Sequence, residues 1–195
     1  MKILIASSDR DLLSCCAELC RARGHEVTEA FDRSSAADFA RDGGYDAALI
    51  DGGLTGPPCD PVKALNKADI PSLVLCRDGL YLSALFADVM PCGILPLPFS
   101  ARRMFTALDR IADLAGRETV IEAGGERLVI RGFTLENKVR ITSSEADLLL
   151  GRAPEDAGAA FVCATALNVK LKKIDKALSV SYVKNEGYRL VADNG

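Results

Sequence analysis

The segment Lys2–Leu13, KILIASSDRDLL, decides the fold of the first half of the chain. Lys2–Ala6 is apolar after its lysine and reads as a strand covered on both faces, as in a parallel sheet. Ser7-Ser8-Asp9 then turns the chain and offers side-chain oxygens to cap a helix. That helix has an apolar face of Leu12, Leu13, Cys16, Leu19 and Cys20, and Gly24 ends it. The same alternation recurs downstream. Val27–Ala30, Tyr45–Asp51, Ser72–Cys76 and Gly93–Leu95 read as strands, and Ser34–Arg41, Val62–Lys67, Leu80–Val89 and Ala101–Ala115 read as helices. Regular alternation of this kind predicts an α/β domain, a doubly wound five-stranded parallel sheet. Ligands in such folds bind at the carboxyl ends of the strands, which places Ser7, Ser8, Asp51 and Cys76 around one mouth.

Composition narrows the function. The 195 residues are 49% hydrophobic and 26% charged, as in a soluble globular protein, and no apolar run reaches the length of a membrane span. The N-terminus lacks a signal peptide's charged flank and cleavage site. Seven cysteines, an odd and scattered set, fit reduced thiols and a cytoplasmic location better than a disulfide framework. Cys16 and Cys20 read as small apolar filling of a helix face. His25 is the only histidine, which leaves little for His-based metal sites or Ser-His-Asp catalysis. It sits in a turn and is expected on the surface. No nucleophile–base pair stands out, so neither an enzyme nor a metal or cofactor is expected.

The halves differ in charge. Residues 1–116 carry 12 basic and 16 acidic side chains, residues 117–195 carry 12 and 11, and a helical pattern ends at Gly116, so the domains are expected at 1–116 and 117–195. The second half begins with short strands at Thr119–Glu122, Arg127–Ile130, Phe133–Leu135 and Lys138–Ile141, an antiparallel platform. Thr142-Ser143-Ser144-Glu145 is a capping box for the next helix. Further on, Thr165–Val191 reads TALNVKLKKIDKALSVSYVKNEGYRLV. Leu167, Leu171, Ile174 and Leu178 recur at helical spacing, and Thr165, Val169, Lys172, Lys173 and Lys176 fall opposite. Val180–Val183 and Tyr188–Val191 then read as a hairpin. From Asn168 to Arg189 six basic residues face two acidic ones, although the chain carries a net −3. A basic helix face followed by a hairpin is the recognition-helix-and-wing layout of a winged helix-turn-helix, and it points to phosphate contacts.

The first 116 residues resemble a bacterial response-regulator receiver domain, through KILIASSDRDLL, YDAALIDGGLTG, IPSLVL and LPLPFS in order. The remainder resembles the winged-helix effector domain of OmpR-type response regulators, through VRITSSEADLLL and the helix-plus-GYRLV ending. The resemblance implies a receiver followed by a small α+β winged-helix domain with a shortened second helix. It also implies roles for single positions. Asp51 matches the phosphoryl acceptor. Ser7 and Ser8 stand where an acidic pair holds Mg²⁺, with Asp9 one position late. Cys76 stands where a hydroxyl residue belongs and Leu97 where a lysine belongs, before a Pro98 whose peptide is expected cis. Hydroxyls replace carboxylates poorly around a hard cation. Ordinary Mg²⁺-dependent phosphorylation is therefore not expected, and Asp51 is expected to be inactive.

What remains for the receiver is pairing. By resemblance its dimer face is Leu80–Val89, Gly93–Leu95 and Ala101–Ala115, with Leu80, Leu82, Leu85, Met104 and Leu108 supplying apolar area. The expected function is a phosphorylation-independent, DNA-binding homodimer that regulates transcription. Thr165, Asn168, Val169, Lys172, Lys173 and Lys176 would face the major groove of double-stranded DNA, and Lys184, Asn185 and Arg189 would meet backbone or minor groove. One segment departs from the family. Between the two recognisable helices GRAPEDAGAAFVCATA offers only sixteen residues, enough for one short turn at Pro154–Ala157, with Phe161 and Val162 plugging the core. The alternative is a protein-interaction adaptor that binds a histidine kinase, a phosphotransfer protein or RNA polymerase. A third reading is a phosphotransfer-competent switch at Asp51.

Overall fold

The computed structural model describes residues 1–77, 90–123, 126–136, 139–152, 157–184 and 186–192. The chain divides into two compact units, Met1–Asp113 and Leu114–Gly195. In the first, strands β1 (Lys2–Ala6), β2 (Glu26–Ala30), β3 (Ala47–Asp51), β4 (Ser72–Cys76) and β5 (Gly93–Pro96) form one parallel sheet in the order β2-β1-β3-β4-β5. The order reverses between β1 and β3, which opens a crevice at their carboxyl ends. Helices α1 (Arg10–Ala22), α2 (Arg33–Asp42), α3 (Pro61–Lys67) and α4 (Ala101–Ala115) accompany the sheet. The expected helix Leu80–Val89 lies outside the described residues. Ile3, Leu4, Ile5, Leu49, Ile50 and Leu75 are fully buried, as continuous apolar strands require.

Helix α1 starts where it does because Asp9 caps it, accepting from the backbone N–H groups of Asp11 and Leu12. Its inner face is Leu13, Cys16, Ala17 and Cys20. Burial pushes the Cys16 thiol up to about 12, with Cys15 and Cys20 adding to it, and pushes Cys20 up to about 11. Both thiols stay protonated and serve as packing. His25 departs from expectation. It is half-buried against the Phe105 ring, with centroids 6.3 Å apart, and its Nε2 is buried without a partner. Burial, with the N-terminal ammonium and Arg23 nearby, holds its pKa below the usual histidine value. The turn is pinned inward because the His25 N–H donates to the Cys20 carbonyl, which exposure of each residue type alone does not reveal.

The second unit opens with antiparallel strands β6 (Glu118–Ala123), β7 (Glu126–Arg131), β8 (Thr134–Leu135) and β9 (Val139–Arg140), in that order. Helix α5 (Ser143–Leu149) begins at the expected capping box, with Thr142 and Glu145 bonding each other's backbone. Helix α6 (Ala157–Leu171) follows, and strands β10 (Leu178–Val183) and β11 (Gly187–Ala192) make an antiparallel hairpin.

Helix α6 corrects the sequence reading. The expected helix ran through Ile174 to Leu178. The observed one begins at Ala157 and ends at Leu171, Ile174 lies in the following turn, and Leu178 opens β10. GRAPEDAGAAFVCATA therefore supplies the first half of this helix. Among the described residues no separate helix stands between α5 and α6. Two causes agree. The run is rich in alanine, the best helix former. Ala160, Ala164, Leu167 and Leu171 also recur at steps of four, three and four, and these four are the buried face. Phe161 and Val162 do not plug the core; they are 65% and 67% exposed.

Two interactions fix the rotation of α6. The Lys170 ammonium lies 2.6 Å from Glu145 Oε2, with side chains only 12% and 3% exposed. The same oxygen accepts the Thr142 N–H at 2.7 Å. Two residues earlier, the Asn168 side-chain amide donates to the Val180 carbonyl at 3.0 Å and accepts from the Val180 N–H at 2.6 Å, which joins α6 to β10.

Removing one partner of a buried ion pair strands the other. Lys170→Met is expected to destabilise the second unit by about 3 kcal/mol in urea unfolding followed by circular dichroism, and Glu145→Gln in the same chain to restore much of that loss. In thiol labelling of the native protein mapped by mass spectrometry, the exposed Cys15 should react readily, whereas Cys16 and Cys20 should react only after unfolding.

Candidate functional site

At the carboxyl ends of β1, β3 and β4 the parallel register sets Ala6 beside Ile50 and Asp51 beside Leu75, so the residues after each strand meet. Ser7 is buried, and its backbone N–H donates to the Ala30 carbonyl at 3.1 Å. Its hydroxyl donates to Asp51 Oδ2 at 2.6 Å and accepts from the Asp9 N–H at 3.0 Å. The other Asp51 oxygen accepts from the Gly53 N–H at 3.0 Å. Both oxygens of the acceptor-equivalent carboxylate thus have donors. Ser8 is exposed and makes no comparable contact.

Asp9 is similarly committed. Its Oδ1 caps α1, and its Oδ2 takes the Arg77 guanidinium at 2.5 Å. The helix N–H of Leu12 holds its carboxyl below the usual value against the opposing effect of desolvation, and the Arg77 hydrogen bond and charge add to the lowering. Cys76 is buried and its carbonyl accepts from the Leu97 N–H at 2.8 Å. A methyl on Gly52 would sit 3.1 Å from the Leu75 carbonyl and 3.8 Å from Cys76 Sγ, so the chain after Asp51 lies tight against β4. Leu97 is half-buried and lines a shallow pocket with Leu12, Arg77 and Pro98. The Leu97–Pro98 peptide is cis, as the resemblance implies.

The Mg²⁺ that the resemblance implies does not fit these residues. A hard divalent ion of that kind is held by carboxylate oxygens gathered at one point. Here Asp51 stands beside the Ser7 hydroxyl rather than a second acid, and Asp9 is turned to the start of α1 and paired with Arg77. Among the described residues no group of three or more His, Cys, Asp or Glu side chains is placed to hold a metal ion.

The expected DNA-facing residues are not gathered on one helix face. Thr165 and Val169 are exposed on α6, and the Thr165 hydroxyl donates to the Phe161 carbonyl. Asn168 turns inward to Val180. Lys172 and Lys173 lie in the turn beyond the helix end, and Lys176 in the turn before β10. Lys184 is exposed at the hairpin turn, and Asn185 lies outside the described residues. Arg189 is exposed on β11, with its guanidinium 3.9 Å from Glu186 and close against Gly151. The outward face of α6 is apolar instead: Phe161, Val162 and Val169, with Thr165 and Ala166 between them. The sequence did carry this signal. From Ala157 to Val169 no charged residue occurs, so no rotation of the helix gives a charged face over that length.

The expected dimer face is also reduced. Met104 and Leu108 are fully buried and offer nothing to a partner. Helix α4 turns them inward, with Ile111. Ile94 at 36% exposure remains accessible. Leu80, Leu82 and Leu85 lie outside the described residues.

The sequence matches no known protein-family profile and no curated protein sequence. Solved structures do match in fold. The receiver domain of a sensor histidine kinase from Pseudomonas aeruginosa PAO1, with magnesium in its active-site cleft, is 20% identical with a TM-score of 0.51, over 57% of this chain and 97% of that one. A response regulator receiver protein from Sinorhizobium medicae WSM419 is 21% identical with a TM-score of 0.50, over 58% and 94%. A mutant of RitR is 17% identical with a TM-score of 0.64, over 100% of this chain and 99% of that one. The first unit therefore has the receiver fold, and both units have a counterpart in one solved chain.

Ser7→Ala removes the donor to Asp51 Oδ2 and leaves a half-buried carboxylate oxygen unpaired. It is expected to cost about 1 kcal/mol of stability in denaturant unfolding at neutral pH. Asp51→Asn, which keeps an acceptor for Ser7, should cost less.

Proposed function

We propose that this chain is a regulator of the two-component response-regulator type that works without phosphoryl transfer, and that its second unit acts by binding another protein. The observation that carries the second part is the outward face of α6, where Phe161, Val162 and Val169 are 65%, 67% and 60% exposed on a stretch without charge. Contiguous exposed apolar surface marks interaction sites. Base reading needs hydrogen-bonding side chains in the groove, and here Asn168 is spent on Val180 and Lys170 on Glu145. The first part rests on the Asp51 pocket, where a hydroxyl replaces the metal-binding acid and a leucine replaces the lysine that would steady developing phosphoryl charge. The receiver fold is then a platform with no catalytic step. Partners of the expected kind are a histidine kinase, a phosphotransfer protein or RNA polymerase.

A second reading is the DNA-binding homodimer of the transcription-factor type. Exposed Lys172, Lys173, Lys176 and Lys184 favour it, because they suit phosphate contacts without base recognition.

Selection of purified full-length protein against pooled genomic DNA fragments separates the two. The proposal expects weak, sequence-indifferent binding that falls steeply with salt and is untouched by Phe161→Ser with Val169→Ser. Selective enrichment of particular fragments, lost in Lys172→Ala with Lys173→Ala, would sink it in favour of the DNA reading. In parallel, acetyl phosphate with Mg²⁺ should leave Asp51 unlabelled by intact mass.

A further inference from the structure

We infer that the groove between α2 and α3 binds a small phosphorylated ligand of the nucleoside phosphate class. Arg41 from the last turn of α2, Lys63 and Lys67 one turn apart on α3, and Pro58 and Cys59 from the preceding loop line a cleft of about 460 Å³. That size falls in the range of small-molecule sites. The charge there is unusual for its surroundings. Residues 1–116 carry a net −4 and only three lysines, of which two are in this cleft.

Four other cations of the unit stand in ion pairs. Lys2 pairs with Glu26, Arg21 with Glu29, Arg23 with Asp109 and Arg77 with Asp9. Among the described residues Lys63 and Lys67 have no ion-pair partner, and Arg41 shares only the exposed Asp38. One carboxylate, Asp60, does line the cleft. It is turned into its own loop, where Oδ1 accepts from the N–H groups of Val62 and Lys63 and Oδ2 from that of Gly56. Two lysines thus line the cleft together with Arg41, while its one lining carboxylate is engaged by backbone N–H groups. Pro58, Ala64 and Ala68 add apolar surface to the same lining. Polyphosphate on the cations and a base on the proline use both kinds of lining residue, whereas a bare anion uses only one.

The test is calorimetric titration of the full chain with ATP, and with adenosine and pyrophosphate separately. The expected result is ATP binding that weakens with added salt, and at least about tenfold weaker binding of either fragment. Lys63→Ala with Lys67→Ala should weaken ATP by about tenfold or more. Both lysines are exposed, so the variant should keep the parent's circular dichroism and unfolding midpoint, which controls for misfolding. Pyrophosphate binding as tightly as ATP would overturn the nucleoside assignment. No ATP binding at millimolar concentration, or binding indifferent to the two lysines, would overturn the site.

Discussion

One buried ion pair sets the surface of the second unit. Lys170 is the only charged residue within α6, and it is drawn inward to Glu145. Glu145 is itself held in place by its bonds to Thr142 at the start of α5. Burying either charge alone is costly, so the pair admits essentially one rotation of α6. That rotation carries Ala160, Ala164, Leu167 and Leu171 inward and leaves Phe161, Val162 and Val169 outward. It also aims Asn168 at the backbone of Val180, so the hairpin is positioned by the same constraint.

The first unit follows a parallel logic with a different outcome. The mouth of a receiver fold collects polar side chains at strand ends, where they are available for chemistry. In this chain the same positions are satisfied from within. Ser7 and Gly53 occupy Asp51, while α1 and Arg77 occupy Asp9. Polar side chains at this mouth act as caps and turn locks. The fold survives because its stability lies in the apolar strands rather than in the pocket: Ile3, Leu4, Ile5, Leu49 and Ile50 are buried whatever stands at position 7.

Much of this was legible in the residues. Five parallel strands, the capping box at Thr142 and Glu145, the hairpin and the altered pocket all follow from runs of like residues and from fixed spacings. The bounds of α6 were not legible, because Ile174 and Leu178 continue the helical spacing by coincidence while the chain turns at Lys172. Periodicity says which residues share a face; it does not say where the backbone stops obeying it. The fates of Lys170, Asn168 and His25 depend on partners 25, 12 and 80 positions away, at Glu145, Val180 and Phe105. Local composition marks all three as surface residues, and only tertiary packing assigns them otherwise.

The apolar strip on α6 also bears on how the protein lives in a cell. A free copy shows Phe161, Val162 and Val169 to every chaperone and protease it meets, and to other copies when crowded. On the reading proposed above, a partner that covers the strip removes that exposure. Surplus copies would be cleared or would clump, while copies in the complex persist. Abundance would then follow the supply of the partner, and stoichiometry would be set by turnover rather than by synthesis.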